Sequence, residues 1–359
     1  MNQQELKNAV YKINTATGSG TGFYLKNYDV FVTNHHVVDG NHLVSLEDQQ
    51  QERHLAKVVF VNPDADIALL KTETKICHTE IPFKEVLEVQ SRDKVWVLGF
   101  PFGMPFTVTE GIVSNNKQLL EGKHYIQTDA AVNPGNSGGP VVDVNGNLIG
   151  VTNAKFNNAD NVGFAIPAQV LKDELATLAK NPENKFSVKC HSCKSLIFEK
   201  TEYCPNCGAN VDVKQFDERK GDYFVEFVES AIQDMGVNPI LTRGGTDFWE
   251  FHSGSSLVRV FIYNQSFMYA TSPMNEMPTE NIEPLLNYIL SNPVEPYKLG
   301  IYNNQIFLSY RVRMTDITSQ KQGELKSLLT NLILKADEMD DFFVKNYGCP
   351  KTNFARPQL

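Results

Sequence analysis

The first half of the chain is a succession of short apolar runs separated by turn residues. Between residues 10 and 167, the runs are broken by Gly, Pro, Asn and Asp. Examples are VVFV (58–61), DIALLK (66–71), KVWVLGF (94–100) and NLIGVT (147–152). Strands this short, with no long amphipathic helix between them, predict an all-β sandwich or a pair of barrels.

The length of 359 residues is too great for one ordinary core, so we expect several domains. A helix predicted over residues 167–180 places Val170, Leu171, Leu175 and Leu178 on one face and closes a first domain, residues 1–180. The polar stretch NPENK (181–185) then predicts a linker. A small cysteine-containing domain (186–212) and a larger third domain (216–350) follow.

The third domain is predicted to contain both strands and helices, whereas the first is predicted to contain mainly strands. Helices are predicted near 222–236, 278–291 and 318–346. Strands are predicted near 246–252, 256–263, 266–271, 297–302 and 305–313. The order α-β-β-β-α-β-β-α predicts an α+β domain, in which helices pack on one sheet.

A candidate nucleophile lies in the stretch NPGNSGGP (133–140). Ser137 stands among three glycines and two prolines, which disfavour strand and helix and favour a tight turn. In such a turn Gly135, Asn136 and Ser137 would line an oxyanion hole, with the N–H groups of Gly135 and Ser137 as donors. The alternative is a glycine turn without catalytic function.

A serine nucleophile needs a histidine base and a carboxylate that orients it. The stretch TNHHVVDG (33–40) offers two adjacent histidines, His35 and His36, that local sequence does not distinguish. The carboxylate is predicted to be Asp66, which directly precedes the buried strand IALLK. Asp64 competes for this role, but its NPD context favours a solvated turn.

Several motifs occur in the order in which one protease family has them. They are GSGTGFYL, TNHHVV, DIALLK, GFPFG, TEGIVS, QTDAAVNPGNSGGPVVD, LIGV and GFAIP. Residues 10–170 therefore resemble the HtrA/Deg-type protease domain of the trypsin-like clan. The resemblance implies the chymotrypsin/trypsin-like fold, a double six-stranded barrel that is all β, with the catalytic triad between the barrels. It assigns the base to His36, the orienting acid to Asp66 and the nucleophile to Ser137. His35 is expected to be a packed or hydrogen-bonded neighbour, with a regulatory titration or a metal role as the alternative.

The function implied is that of a serine endopeptidase acting on protein or peptide substrates. Ala131, six residues before Ser137, occupies the position where trypsin-like pockets hold their specificity acid. Without a counter-charge there, cleavage after small or medium apolar residues is expected. The alternative is a latent protease that acts mainly as an adaptor and is activated by a partner.

Four of the six cysteines have the spacing C-x2-C-x10-C-x2-C: Cys190, Cys193, Cys204 and Cys207. Two such pairs at the ends of a short hairpin can meet at one tetrahedral ion, and four thiolates suit a structural zinc. A zinc ribbon holding one Zn²⁺ per chain is predicted, with disulfides or free thiols as alternatives. Catalysis by the triad requires no cofactor.

The third domain lacks the pattern of the PDZ domain that usually follows HtrA-type proteases. Its order of elements is similar to that of YbjN-like and type III secretion chaperone-like domains, which bind proteins and often dimerise. A regulatory protein partner and a homo-oligomer are therefore expected.

The net charge of −9 argues against nucleic-acid binding and against adhesion to an anionic membrane. No run approaches ~18 apolar residues. The first residues, MNQQELKNAV, lack the pattern of a secretory signal, and the cysteines are clustered. These features predict a cytoplasmic location.

Overall fold

The computed structural model describes residues 3–77, 79–84, 89–153, 162–219, 221–253, 256–280, 282–291 and 293–352. The chain divides into two compact units, residues 1–219 and 220–359. In the described part of the chain, no helix is long and apolar enough to cross a lipid bilayer.

The first unit begins with a helix and a closed barrel of six antiparallel strands. They are α1 (Gln3–Asn8), β1 (Val10–Asn14), β2 (Ser19–Leu25), β3 (Val30–Thr33), α2 (His35–Val38), β4 (Leu43–Glu47), β5 (Arg53–Asn62) and β6 (Ile67–Thr72). The strand order is β5-β4-β1-β2-β3-β6, and pairing of β5 with β6 closes the ring.

A second closed barrel follows, also of six antiparallel strands. It consists of β7 (Lys94–Gly99), β8 (Thr107–Leu120), β9 (Lys123–Thr128), β10 (Pro140–Asp143), β11 (Leu148–Asn153) and β12 (Gly163–Pro167). Their order is β10-β11-β12-β9-β8-β7, and β10 pairs with β7. The expected pair of six-stranded barrels is therefore present, and helix α3 (Ala168–Leu178) follows it directly.

The period of two in the strands explains how two barrels are buried against each other. In β6, Ala68 and Leu70 belong to the core inside the first barrel. Ile67 and Leu69 belong to a second core shared with Leu98 of the other barrel. Successive side chains point to opposite faces of a strand. A strand that is covered on both sides therefore needs an uninterrupted apolar run. The shared core fixes the cleft between the barrels.

The cysteine segment is joined to the first barrel. Its strands β13 (Val188–Lys189) and β14 (Leu196–Ile197) form a hairpin, and β13 pairs in parallel with β5 at Val61. A two-stranded hairpin is marginal by itself, so pairing with an existing sheet stabilises it.

The stretch 181–185, predicted as a linker, is a turn in which the buried Asn181 donates to the Lys185 carbonyl (2.6 Å).

The second unit is one antiparallel sheet with helices. Its elements are α4 (Tyr223–Asp234), β15 (Arg243–Gly245), β16 (Phe248–Ser253), β17 (Ser256–Tyr263), β18 (Phe267–Glu276), α5 (Ile282–Leu290), β19 (Lys298–Tyr302), β20 (Gln305–Arg313), α6 (Met314–Ile317) and α7 (Gln322–Tyr347). The strand order is β15-β16-β17-β18-β20-β19. Helix α7 packs on β17, β18 and β20, and α4 and α5 contact α7.

Candidate active site

His36 lies on α2, which begins directly after β3. Its backbone N–H donates to Oδ1 of Asp66 (3.0 Å), and its ring Nδ1 lies 2.8 Å from Oδ2 of the same carboxylate. An ionised carboxylate only accepts hydrogen bonds, so this contact favours the proton on Nδ1, and in the neutral ring Nε2 then keeps its lone pair. This is the tautomer that a general base requires.

Asp66 is held by two buried amides as well. Its backbone is left-handed (φ 54°), and its carbonyl accepts a hydrogen bond from Asn34 (3.0 Å). Its Oδ2 accepts a second bond from Asn153 Nδ2 (3.2 Å). The sequence analysis missed Asn153, which ends β11 two residues after the LIGV motif. Nothing in the local sequence distinguishes this asparagine from other strand ends.

The two acidic residues of NPDAD point to different partners. The Asp64 side chain is 51% exposed and pairs with Lys123 at 3.0 Å. The hydrogen bond from Lys123 holds the pKa of Asp64 below its ordinary value. The Asp66 side chain is only 15% exposed and faces His36. The structure therefore brings Asp66, and not Asp64, to the histidine.

The glycine-rich stretch forms the expected tight turn between the barrels. Thr21 of β2 holds it by two bonds: its N–H donates to the Ser137 carbonyl (2.8 Å) and its hydroxyl donates to the Gly135 carbonyl (2.6 Å). Gly135 (φ 97°) and Gly138 (φ 82°) have left-handed backbones. A Cβ on Gly138 would lie 2.3 Å from the Thr21 carbonyl, so only glycine fits.

Two backbone N–H groups of this turn are available to a ligand. Neither Gly135 N nor Ser137 N donates to another of the described residues. The Asn136 N–H, by contrast, donates to the Asn133 carbonyl at 3.0 Å. Of the three residues that the sequence analysis assigned to an oxyanion hole, Asn136 therefore contributes no free N–H, because it closes the turn.

Ser137 is buried beside this pair of donors, with 7% of its surface exposed. Among the described residues its hydroxyl has no hydrogen-bond partner, and His36 makes its ring contact with Asp66 alone. The serine–histidine bond is often long in an enzyme without substrate and shortens in the complex. The turn and the His36–Asp66 pair are the candidate parts of a catalytic site.

Comparison with known proteins identifies this part of the chain. Residues 20–151 match a family model described as the trypsin-like peptidase domain. The chain is 38% identical over 162 residues to the probable periplasmic serine endoprotease DegP-like of Chlamydia trachomatis, which covers 43% of this chain and 32% of that protein. Residues 20–151 of the first unit are similar to the trypsin-like peptidase domain. The resemblance to HtrA/Deg-type protease domains is confirmed for this region.

Two further similarities extend the comparison. The probable periplasmic serine endoprotease DegP-like of Marinomonas sp. is 36% identical over 244 residues, or 62% of this chain and 50% of that protein. The solved serine endoprotease from Yersinia pestis is 25% identical, with a TM-score of 0.46, and covers 50% of this chain and 68% of that one. This chain spans between a third and a half of the length of the two DegP-like relatives.

The cytoplasmic location expected from the sequence is wrong by this comparison, because the relatives are named periplasmic endoproteases. The expectation rested on the composition of the first residues and on clustered cysteines. Neither property enters the packing or the chemistry of the protease domain, so neither fixes its compartment.

His35 lies next to the base but has different surroundings. Its side chain is 12% exposed, and its Nε2 lies 3.7 Å from Oδ1 of Asp39. Burial lowers the pKa of His35, and the Asp39 carboxylate offsets part of that effect. The neutral, packed ring is consistent with a structural neighbour.

Ala131 precedes the serine turn of the protease domain and is exposed. Its carbonyl accepts a hydrogen bond from the Thr109 hydroxyl (2.9 Å). A methyl side chain here offers no charge to a substrate.

The four cysteines of the C-x2-C pairs form a compact cluster in which all four sulfurs lie within 4.8 Å of one another. The Cys190–Cys207 and Cys193–Cys204 sulfurs are 3.8 and 3.7 Å apart. A tetrahedron of sulfurs about 2.3 Å from a zinc ion has edges of about 3.8 Å. The donors therefore fit a tetrahedral metal ion.

The two turns that carry these cysteines have the same backbone hydrogen bonds. Cys190 N donates to Ser195 O and Lys194 N donates to Cys190 O (2.9 and 3.1 Å). In the second turn, Cys204 N donates to Ala209 O and Gly208 N donates to Cys204 O (2.8 and 2.9 Å). The two bonds again span five and four residues. Side-chain hydrogen bonds with Asn206 and Ser195 lower the pKa of Cys193 to about 5, whereas hydrogen bonds with the neighbouring cysteines and burial raise the pKa of Cys207 to about 11. A metal ion bound by all four sulfurs would displace the remaining thiol protons.

Proposed function

We propose that the protein is a serine endopeptidase that hydrolyses peptide bonds of protein substrates. The observation that carries this proposal is the His36–Asp66 pair, whose Nδ1 and Oδ2 atoms are 2.8 Å apart, as in a histidine base held by its orienting carboxylate. In this function Ser137 is the nucleophile, His36 the general base and acid, and Asp66 the residue that fixes the tautomer.

The reaction follows from these roles. Ser137 Oγ attacks the peptide carbonyl carbon while His36 Nε2 takes the hydroxyl proton, and the carbonyl oxygen becomes an oxyanion. The N–H groups of Gly135 and Ser137 donate to that oxyanion, each contributing about 3–4 kcal/mol by analogy with measured cases. His36 returns the proton to the leaving amine, and the C–N bond breaks.

Deacylation uses the same residues. His36 takes a proton from water, whose oxygen attacks the acyl carbon, and then returns a proton to Ser137 Oγ as the ester bond breaks. Asp66 stabilises the imidazolium in both halves, and Asn153 keeps the Asp66 carboxylate in place by its 3.2 Å hydrogen bond.

Ala131 supports a preference for small or medium apolar residues before the scissile bond. Its methyl group supplies no partner for a lysine or arginine side chain, and a buried unpaired charge is costly. Apolar reporter peptides are therefore the substrates of choice for testing the protein.

The cysteine cluster is proposed to hold one structural zinc ion. Four cysteine ligands complete a tetrahedral shell, so the ion would have no open position for substrate and would stabilise the hairpin that carries it. The ion supplies no step of the hydrolysis.

The second unit is proposed to be a YbjN-like or chaperone-like domain that binds a regulatory protein partner or a second copy of the chain. Support comes from a row of apolar side chains on α5 that remain at the surface of the unit. Ile282, Leu286 and Leu290, spaced by four residues, are 43%, 37% and 81% exposed. Such a row is typical of a helix face that binds a protein.

The test is to treat wild type and Ser137→Ala with a serine-directed fluorophosphonate and with a denatured protein. We expect labelling and cleavage by the wild type only. Equal cleavage by both proteins, or no labelling of wild type under any condition, contradicts the proposal. Labelling that appears only after a partner is added identifies the latent protease.

A further inference from the structure

A buried asparagine organises the loop that presents Asp66. Asn62, 5% exposed at the end of β5, accepts hydrogen bonds through Oδ1 from the N–H groups of Asp64 (3.1 Å) and Ala65 (3.2 Å). The next residue is Asp66, with its left-handed backbone. Rotation of the Asn62 side chain would release both N–H groups, so the direction of the Asp66 carboxylate depends on Asn62.

The Asn62 amide is itself fixed by a buried ion pair. Its Nδ2 donates to Glu174 Oε1 (3.0 Å) on α3, and the other oxygen of that carboxylate accepts from Lys189 Nζ (2.8 Å) on β13. The Lys189 and Glu174 side chains are 7% and 4% exposed. A buried ion pair seldom adds stability over apolar residues of similar size, so its physical effect is to fix geometry.

The ion pair leads directly to the cysteine cluster. Lys189 precedes Cys190, and the hairpin is attached to the strand that ends at Asn62: Val61 N donates to Ser187 O at 2.9 Å. The catalytic carboxylate and the metal-binding turns are thus joined by contacts through three buried side chains.

We propose that Asn62, Glu174 and Lys189 are positioning residues for Asp66 that couple the metal-bound cysteine hairpin to the catalytic triad. This inference rests on the proposed protease function. It means that loss of the metal lowers the reactivity of Ser137, without any contact between the metal site and the substrate, because the hairpin no longer holds Lys189 against Glu174.

The test uses a double substitution, Glu174→Leu with Lys189→Met, that removes both charges and leaves Asn62 Nδ2 without its acceptor. Since both buried charges are lost together, the only expected loss of stability is about 1–3 kcal/mol from the unpaired Asn62 amide, and melting curves show whether the variant is folded. We expect kcat for an apolar reporter peptide to fall about 10- to 100-fold with KM little changed, because the bound geometry is displaced. The matched control is Asp173→Asn, which removes one exposed negative charge from the same helix and should change neither value.

A readout independent of activity is hydrogen exchange at the Asp64 and Ala65 amides. Both should exchange faster in the double variant, and faster in wild type after the metal is removed by a chelator. Metal removal should slow fluorophosphonate labelling of wild type but add little to the loss in the double variant, since both act through the same contacts.

The outcomes separate this inference from the proposed function. If the wild type and the double variant are labelled at the same rate, the positioning inference is wrong and the proposed protease function still holds. A wild type that is never labelled overturns the protease. In that case unchanged exchange at the two amides also overturns the positioning role, and faster exchange supports it.

Discussion

At the scale of single residues, the adjacent histidines His35 and His36 show how position outweighs residue type. The two share one short helix, but only His36 has its ring within hydrogen-bonding distance of Asp66 (2.8 Å). His35 is turned toward Asp39 and is largely buried. Side chains one position apart on a helix point in different directions, so only one of a doublet can serve a given cleft.

The doublet gives a direct prediction. His36→Ala should lower kcat for a peptide substrate by about 10⁴-fold or more, because no other group takes the serine proton. His35→Ala should keep kcat within about tenfold of the wild-type value, because this substitution removes packing contacts but no group that transfers a proton. Steady-state kinetics of both variants, with melting curves to show that each is folded, measure this. The reverse order of losses would mean that His35 is the base.

At the scale of elements, the two cysteine turns share one backbone geometry but not one sequence. The left-handed position is Gly208 in the second turn (φ 71°) and Lys194 in the first (φ 62°). A side chain in this conformation costs about 1 kcal/mol that glycine does not pay. The first turn therefore carries strain that the second avoids.

The difference in backbone strain between Lys194 and Gly208 should be measurable as a difference in metal affinity. Gly208→Ala is expected to weaken metal binding by about 1 kcal/mol, and Lys194→Gly to strengthen it by up to the same amount. Titration against a chromophoric chelator measures both. Lys194→Ala is the control, because it removes the side chain and keeps the backbone penalty. If Lys194→Ala and Lys194→Gly behave alike, the effect comes from the lysine side chain and not from backbone strain.

At the scale of the whole molecule, the proposed active site and the cysteine cluster lie in the first of the two compact units, residues 1–219. That unit contains both barrels and the core that they share. A part of a chain with its own core and few contacts to the remainder is expected to fold by itself. The proposed triad therefore includes no residue of the second unit.

A chain ending at residue 219 should therefore fold and react. We expect its fluorophosphonate labelling rate to be within about threefold of the full-length rate, since the core and triad are complete. Circular dichroism melting and labelling kinetics test this, with Ser137→Ala in the shortened chain as the control. A shortened chain that aggregates, or that folds and is not labelled, would show that residues 220–359 are needed for the site.

From local signals the sequence by itself predicted an all-β sandwich or a pair of barrels, the pairing of cysteines into two turns and candidate catalytic residues, and the resemblance carried by the order of motifs implied the double six-stranded barrel. Strand periods, turn residues and C-x2-C spacing act within a few residues, and the order of motifs chose between His35 and His36. Tertiary structure alone decided that the cysteine hairpin joins β5, that residues 181–185 form an anchored turn, and that Asn153, Asn62, Glu174 and Lys189 lie around Asp66. Those contacts join residues up to 128 positions apart, as between Val59 and Ser187, and only the packed barrels bring them together.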